Sequence, residues 1–303
     1  MRIFATDSFP IPLPAGHFFP LAKYERLRRR VEALGLPAGG RCEIAPAAGD
    51  DELRRAHTAD WIARVRNGRL SALEQRRIGL PWSPELVERS RRSVGATIAA
   101  CRAALADDVA AYLGGGTHHA AADRGAGYCV FNDAVVAGRT MQAEGLVRRV
   151  VVIDCDVHQG DGTARLVRDD PTVFAFSIHG MSGYPKFDEP GDLDIRLPNG
   201  TGDVIYLAEL EDGLCDSLDR AGAELAIYLA GADPHEGDRI GRMKLTFEGL
   251  ARRDELVLGA CRARGIPVAV TIAGGYGREL DDVVRIHART MQLAAGFSRR
   301  RRT

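Results

Sequence analysis

Two rhythms of apolar and polar residues run along the chain. Short apolar runs at RIFAT (2–6), DVAAYL (108–113), VRRVVVIDCDV (147–157), TVFAFSIH (172–179), AELAIYLAGAD (223–233) and IPVAVTIAGG (266–275) predict strands. Between them, apolar residues recur at three- and four-residue spacing. That spacing predicts a helix over 20–37, with Leu21, Tyr24, Leu27, Val31 and Leu34 on one face and Gly35 and Pro37 as its stop. A second helix over 83–107 has Ser83 as N-cap and Pro84 at its first position. Others are predicted over 132–145, 163–170 and roughly 204–222, 246–264 and 278–296. Segments 37–50, 69–82 and 180–203 are the least regular. The last is rich in Gly, Pro and Asp, follows a strand, and is placed to border a site.

Strand followed by helix, repeated, with strands apolar on both faces, predicts an α/β fold. Its form is a three-layer sandwich, a mainly parallel central sheet flanked by helices. No internal repeat, heptad or low-complexity segment interrupts the pattern. We expect a single domain over 1–297 and a basic tail over 298–303, SRRRRT, read as a solvated end.

Composition narrows the class. The 303 residues are 45% hydrophobic, enough for a large core. Lys+Arg and Asp+Glu balance at 41 each, so no net charge argues for nucleic acid or a membrane as partner. The six cysteines (Cys42, Cys101, Cys129, Cys155, Cys215, Cys261) are scattered without a C-x-x-C, which indicates neither a disulfide framework nor a zinc knuckle. The start of the chain lacks a signal-peptide pattern, and no stretch approaches the ~18 apolar residues of a membrane span. The expectation is a soluble protein of the reducing cytoplasm.

The chemistry gathers where strands end. One strand runs into GGGTHHA, with His118 and His119; a second into IDCDVHQGDG, with Asp154, Asp156, His158 and Asp161; a third into LAGADPHEGD, with Asp233 and His235; a fourth into AGGYG, with Tyr276. Open α/β sheets place their sites outside the carboxyl ends of the strands, so four such endings point to one shared site. Asp154, Asp156 and His158 are spaced i, i+2, i+4, which in a strand directs them to one face. Two carboxylates and an imidazole there suit a divalent cation, and Asp233 can add another oxygen ligand. Such a set leaves a position open for water. Read alone, the acids are equally well ordinary loop residues. Beside a metal, a histidine can take a proton from water, with a carboxylate on its other nitrogen fixing the tautomer; Asp154 and Asp161 are two spare acids, one for each of His118 and His119. Tyr276, between two glycines, is either a packed aromatic or a mobile phenol that donates to a developing oxyanion.

Together these motifs resemble the zinc-dependent histone deacetylase family, of the arginase–deacetylase fold. The similarity begins near HTADWIARV and is strongest from GGGTHHAAADRGAGYCVFND through IDCDVHQGDGT and SIHG. It continues through LAGADPHEGD to AGGYG, so it covers most of the chain. The short length and DPHEGDRIGRMKLT look most like small bacterial members close to the class IV deacetylases. The resemblance implies zinc held by Asp156, His158 and Asp233, with Asp154 behind His118 and Asp161 behind His119. It implies that Tyr276 is the transition-state tyrosine and that Gly127, through its carbonyl, and Tyr128 line an acyl-lysine tunnel, with Tyr184 on the facing wall. It also implies a structural potassium beside Asp154 and Ser177. The implied reaction is zinc-dependent hydrolysis of an acylated lysine or small acylated amine.

This sequence departs from many relatives in two places. RRIGLPWSP offers Trp82 but no acid to grip a substrate backbone. Pro234 and His235 follow the third ligand, and we expect His235 to be a buried, hydrogen-bonded histidine. Two other readings stand beside the amidohydrolase. A two-manganese ureohydrolase of the same fold needs further bridging acids, and Pro234 stands next to Asp233. A non-catalytic acyl-lysine binding module would have lost a ligand, His119 or Tyr276, and all are present.

Overall fold

In a computed structural model, residues 1–181, 183–185 and 189–298 are described. The apolar runs form β1 (Ile3–Phe4), β2 (Val109–Tyr112), β3 (Val150–Asp154), β4 (Val173–Gly180), β5 (Leu193–Leu197), β6 (Leu225–Leu229) and β7 (Val268–Thr271). The helices are α1 (Ala22–Ala33), α2 (Asp50–Leu53), α3 (Ala59–Arg66), α4 (Ala72–Ile78), α5 (Pro84–Asp107), α6 (Asp133–Ala143), α7 (Asp161–Val167), α8 (Asp203–Ala221), α9 (Phe247–Ala263) and α10 (Leu280–Phe297). The strands make one seven-stranded sheet in the order β1-β2-β7-β6-β3-β4-β5. Every pairing is parallel, so the sheet expected to be mainly parallel is wholly so.

Successive residues of a strand face opposite sides, and both sides are buried here. In β3, Val150 and Val152 enter the core under α5 and α6; Val151 and Ile153 enter the one under α1, α8, α9 and α10. This is the three-layer single domain that the two rhythms predict. Of the basic tail only Ser298 is described, its hydroxyl bonded to the Asp107 carbonyl at 3.3 Å; 299–303 lie outside the described residues. Among the described residues no helix is long and apolar enough to cross a membrane.

Ser83 caps α5 as predicted, accepting from the Leu86 amide at 3.1 Å. Segment 69–82 is more regular than its pattern suggests. Ser71 and Glu74 form a capping box at the head of α4, and the left-handed Gly79 closes it. Segment 180–203 holds an edge strand, β5, whose alternation of apolar and charged residues (LDIRL) is too short to stand out.

Candidate active site

The four chemical strand endings belong to β2, β7, β6 and β3, which are consecutive in the sheet. Beyond their carboxyl ends lies a pocket of about 180 Å³, whose lining includes His118, His119, Asp156, His158 and Tyr276.

The strand-face argument for Asp154, Asp156 and His158 needs correcting. β3 stops at Asp154, and the chain leaves the sheet there because side chains replace the ladder partners. The Asp156 amide bonds Asp154 Oδ1 at 3.0 Å, and the His158 amide bonds Asp156 Oδ1 at 2.9 Å. The turn leaves Asp154 on His118 Nδ1 and brings Asp156 and His158 to Asp233. Among the described residues, Asp156, His158 and Asp233 are the group whose ligand atoms converge, all within 4.8 Å. Asp233 Oδ1 accepts from the Val157 amide at 2.9 Å, while Oδ2 is buried without a hydrogen bond among the described residues, with His158 Nδ1 3.4 Å away. Burial and the charge of Asp156 raise the Asp233 carboxyl to about 7. An orphaned oxygen beside a repelling carboxylate is what a divalent cation would satisfy, so the residues fit one. Gly274 closes this corner: its amide bonds Asp156 Oδ2 at 2.7 Å, and a Cβ there would stand 1.8 Å from Asp233 Oδ2.

His118 Nδ1 lies 2.6 Å from Asp154 Oδ2, and His119 Nδ1 lies 2.6 Å from Asp161 Oδ1. Each spare acid therefore backs one ring, and neither Nε2 makes a hydrogen bond among the described residues. Burial opposes protonation of His118, but the carboxylates of Asp154 and Asp156 outweigh it and raise the ring to about 9. Burial, reinforced by the His118 charge, takes His119 down to about 4 against the pull of Asp161.

Tyr276 turns into the pocket because its amide is held by Asp238 Oδ2 at 2.7 Å, while Oδ1 of the same carboxylate takes the amides of Ile240 and Gly241. Burial pushes the Tyr276 phenol well above its ordinary value, which keeps it a hydrogen-bond donor. Gly127 and Tyr128 line the pocket as expected. Gly127 has φ +51, and a Cβ there would strike His119 Cδ2 at 2.5 Å. Tyr184 stands edge-on to the His119 ring, centroids 4.7 Å apart. Asp154 and Ser177 are register partners on β3 and β4, and Ser177 Oγ bonds His179 Nδ1 at 2.9 Å. Neither Trp82 nor His235 reaches the pocket lining. Trp82 donates to the Val65 carbonyl at 2.7 Å. His235 is buried, as expected, accepting from the Gly237 amide at 3.2 Å and packing on Phe247, with no hydrogen bond to Nε2 among the described residues.

Sequence reasoning missed Lys23, which is buried on the pocket floor with Nζ 3.4 Å and 3.5 Å from the carbonyls of Ala273 and Gly275. Burial lowers it to about 8, against the charges of Asp233, Asp156 and Asp238. The signal was present: Lys23 shares the i, i+4, i+8 stripe of Leu27 and Val31, the face of α1 that is buried.

A histone deacetylase domain model matches residues 17–291. The chain belongs to the histone deacetylase family. It is 41% identical over 277 residues to an uncharacterized protein of Picosynechococcus sp., covering 91% of this chain and 92% of that one. It is 29% identical over 282 residues to a histone deacetylase-like amidohydrolase of Pseudomonas aeruginosa, covering 88% and 74%. The crystal structure of the HDA15 HD domain superposes with a TM-score of 0.84 at 19% identity, covering 98% of this chain and 91% of that one, and shows the shared fold. Family membership makes the protein a hydrolase of the deacetylase and amidohydrolase type.

Proposed function

We propose that this protein is a zinc-dependent deacylase that removes an acetyl or other acyl group from an amine, either acyl-lysine in a protein or a small acylated amine. The observation that carries the reading is the pairing of each tandem histidine with its own carboxylate, both at 2.6 Å, in one pocket with Tyr276, Asp156 and His158, the last two converging with Asp233. Asp156, His158 and Asp233 would hold the zinc. The chemistry a zinc ion supplies in such a site is polarisation of the acyl carbonyl and acidification of a water.

The protein groups divide the remaining work. His119, neutral with Nδ1 held by Asp161, offers Nε2 to the proton of the attacking water and then returns it to the leaving amine. His118, charged and backed by Asp154, favours the developing negative charge and orients its neighbour. The Tyr276 hydroxyl donates to the oxyanion. The Gly127 carbonyl takes the substrate N–H, and Tyr128 and Tyr184 wall the acyl-amine stem. A potassium ion beside Asp154 and Ser177 would act only on the charge of Asp154, outside the proton path.

The test is metal content together with turnover of a neutral acetyl-lysine fluorogenic peptide. We expect one zinc per chain, strongly weakened binding in Asp233→Ala, and loss of turnover with the metal. Full metal affinity in that variant removes Asp233 from the ligand set.

A further inference from the structure

The chain is neutral overall, but the mouth of the pocket is not. Phe19, Gly127, Tyr128, Tyr184, Ile240 and Tyr276 line the pocket, and the described segments that carry or flank them are 12–19, 77–79, 123–128, 183–184, 239–241 and 275–277. Among these described residues, histidine apart, the charged side chains are Arg77, Arg124 and Arg239 with the acid Asp123; Asp238, next to Arg239, is turned inward and held by the amides of Ile240, Gly241 and Tyr276. Asp123 is already paired with Arg124 at 3.2 Å. Arg77 is exposed and makes no ion pair among the described residues. Its own carbonyl takes the Gly127 amide at 3.0 Å, which ties it to the tunnel wall.

Arg239 is the best placed of the three. Its Nε donates to the Tyr276 carbonyl at 2.9 Å. Its guanidinium lies 4.1 Å from the centroid of the exposed Phe18 ring, which is stacked at 5.9 Å on Tyr276. One hydrogen bond and one aromatic face thus fix the plane of the guanidinium, and Nη1 and Nη2 make no hydrogen bond among the described residues. A planar fork held still at a pocket mouth, with its donors free, is complementary to a carboxylate. The same field reaches the tunnel walls. Burial raises the phenols of Tyr128 and Tyr184; Arg239 opposes that at Tyr128, and Arg77 and Arg124 oppose it at Tyr184.

We propose that the preferred substrate is an acylated amine carrying a carboxylate just outside the tunnel, gripped by Arg239 with help from Arg77, and that acylated polycations are disfavoured. This inference rests on the deacylase reading above and names its substrate class. The carboxylate has two sources, the free α-carboxylate of an acyl-lysine and the acidic neighbours of an acyl-lysine in a peptide.

The experiment measures kcat/KM of the zinc-loaded, full-length protein on one acyl group presented five ways. These are an Nα-capped Nε-acetyl-lysine with a free α-carboxylate, the same capped compound as its uncharged amide, acetyl-lysine peptides with aspartate or with lysine neighbours, and an acetylated polyamine. The acidic presentations should exceed the basic ones by about tenfold, mostly through KM, the scale of one charge-assisted hydrogen-bonded pair. Free carboxylate against amide, and aspartate peptide against lysine peptide, tell the two sources apart. Raising the salt should shrink the ratio. Arg239→Gln should flatten the preference and Arg239→Glu invert it. Arg77→Glu, which leaves the Tyr276 carbonyl alone, should weaken it. Ratios between substrates are read, so a general loss of rate in a variant cancels. A wild type that favours the polyamine or the lysine peptide, or a ranking untouched by Arg239→Glu and Arg77→Glu, overturns this inference alone. Failure to turn over even the uncharged amide overturns the deacylase reading and this inference with it.

Discussion

His118 and His119 are backbone neighbours, both buried, each with a carboxylate at 2.6 Å, yet their protons behave oppositely. His118 feels two carboxylates and goes up to about 9; His119 feels burial and a charged neighbour and goes down to about 4. A pair of titratable groups driven apart in this way divides acid and base roles between them. On that basis His119→Ala should lose most of the rate, by roughly 10²-fold or more, together with the pH dependence of a titrating base. His118→Ala should keep measurable, still pH-dependent turnover once zinc content is matched. Equal losses in kcat would mean that the rings are interchangeable. Tyr276→Phe keeps the ring that packs on Tyr128, centroids 5.8 Å apart, and removes only the hydroxyl. A fall in kcat of about 10²-fold is expected, the size of one lost oxyanion donor. An unchanged kcat on the neutral peptide would leave Tyr276 with packing alone.

Between elements, the site depends on a buried ion pair beneath it. Arg253 on α9 is wholly buried, its Nε and Nη2 3.0 Å and 2.8 Å from Asp254 Oδ1. Its Nη1 reaches back to the carbonyls of Gly231 and Cys155, in the loops that carry Asp233 and Asp156. Tyr228 on β6 and Thr290 on α10 complete the Asp254 carboxylate, each at 2.6 Å. Removing one partner of such a pair strands the other in the core, at about 3–5 kcal/mol. Arg253→Met should therefore be severely destabilised in thermal melts. Arg253→Lys keeps the charge but not the fork, so it should fold and yet hold zinc about tenfold more weakly. Unchanged zinc affinity in the folded Lys variant would make the pair purely structural. None of this was legible in the sequence, where RRDE reads as the polar face of a helix. What was legible had a local cause. The strand runs are apolar on both faces, Ser83 and Pro84 announce α5, and the four strand endings carry side chains too costly to bury without a common purpose. Asp154 was assigned to one face with Asp156 and His158 because a period of two continues past the point where the strand does. Asp238 and Arg253 act through contacts 38 and 98 positions along the chain, which no local pattern encodes; for Lys23 the helical stripe tells of its burial but not of its partners 250 positions away.

The whole molecule meets acid with a liability set by its burial pattern. His57 is buried, with Nδ1 2.9 Å from the Ala121 carbonyl and Nε2 accepting the Asn132 amide at 2.9 Å. It thereby staples both ends of the loop that starts with the tandem histidines and ends at the head of α6. The Asn132 bond requires the neutral ring, because Nε2 has to accept, and burial lowers the pKa from 6.5 to about 4 against the pull of the Ala121 carbonyl. His287, buried behind the Tyr276 turn, is also held well below its ordinary value, by burial and by the charges of Lys23 and Arg253. A histidine whose folded pKa is depressed is less protonated in the folded than in the unfolded chain. Its stabilising contribution is then fully present above pH 6.5 and is lost as the pH falls from 6.5 toward 4. For His57 the shift corresponds to something on the order of 3 kcal/mol across that window. Urea unfolding of the zinc-loaded protein should therefore show stability falling between pH 6.5 and pH 4.5. His57→Gln should be less stable at neutral pH but lose less than the wild type on acidification, and the difference between the two curves cancels zinc release and the His287 contribution. Parallel curves would mean that His57 keeps the same protonation in both states and that the acid sensitivity of the fold lies elsewhere.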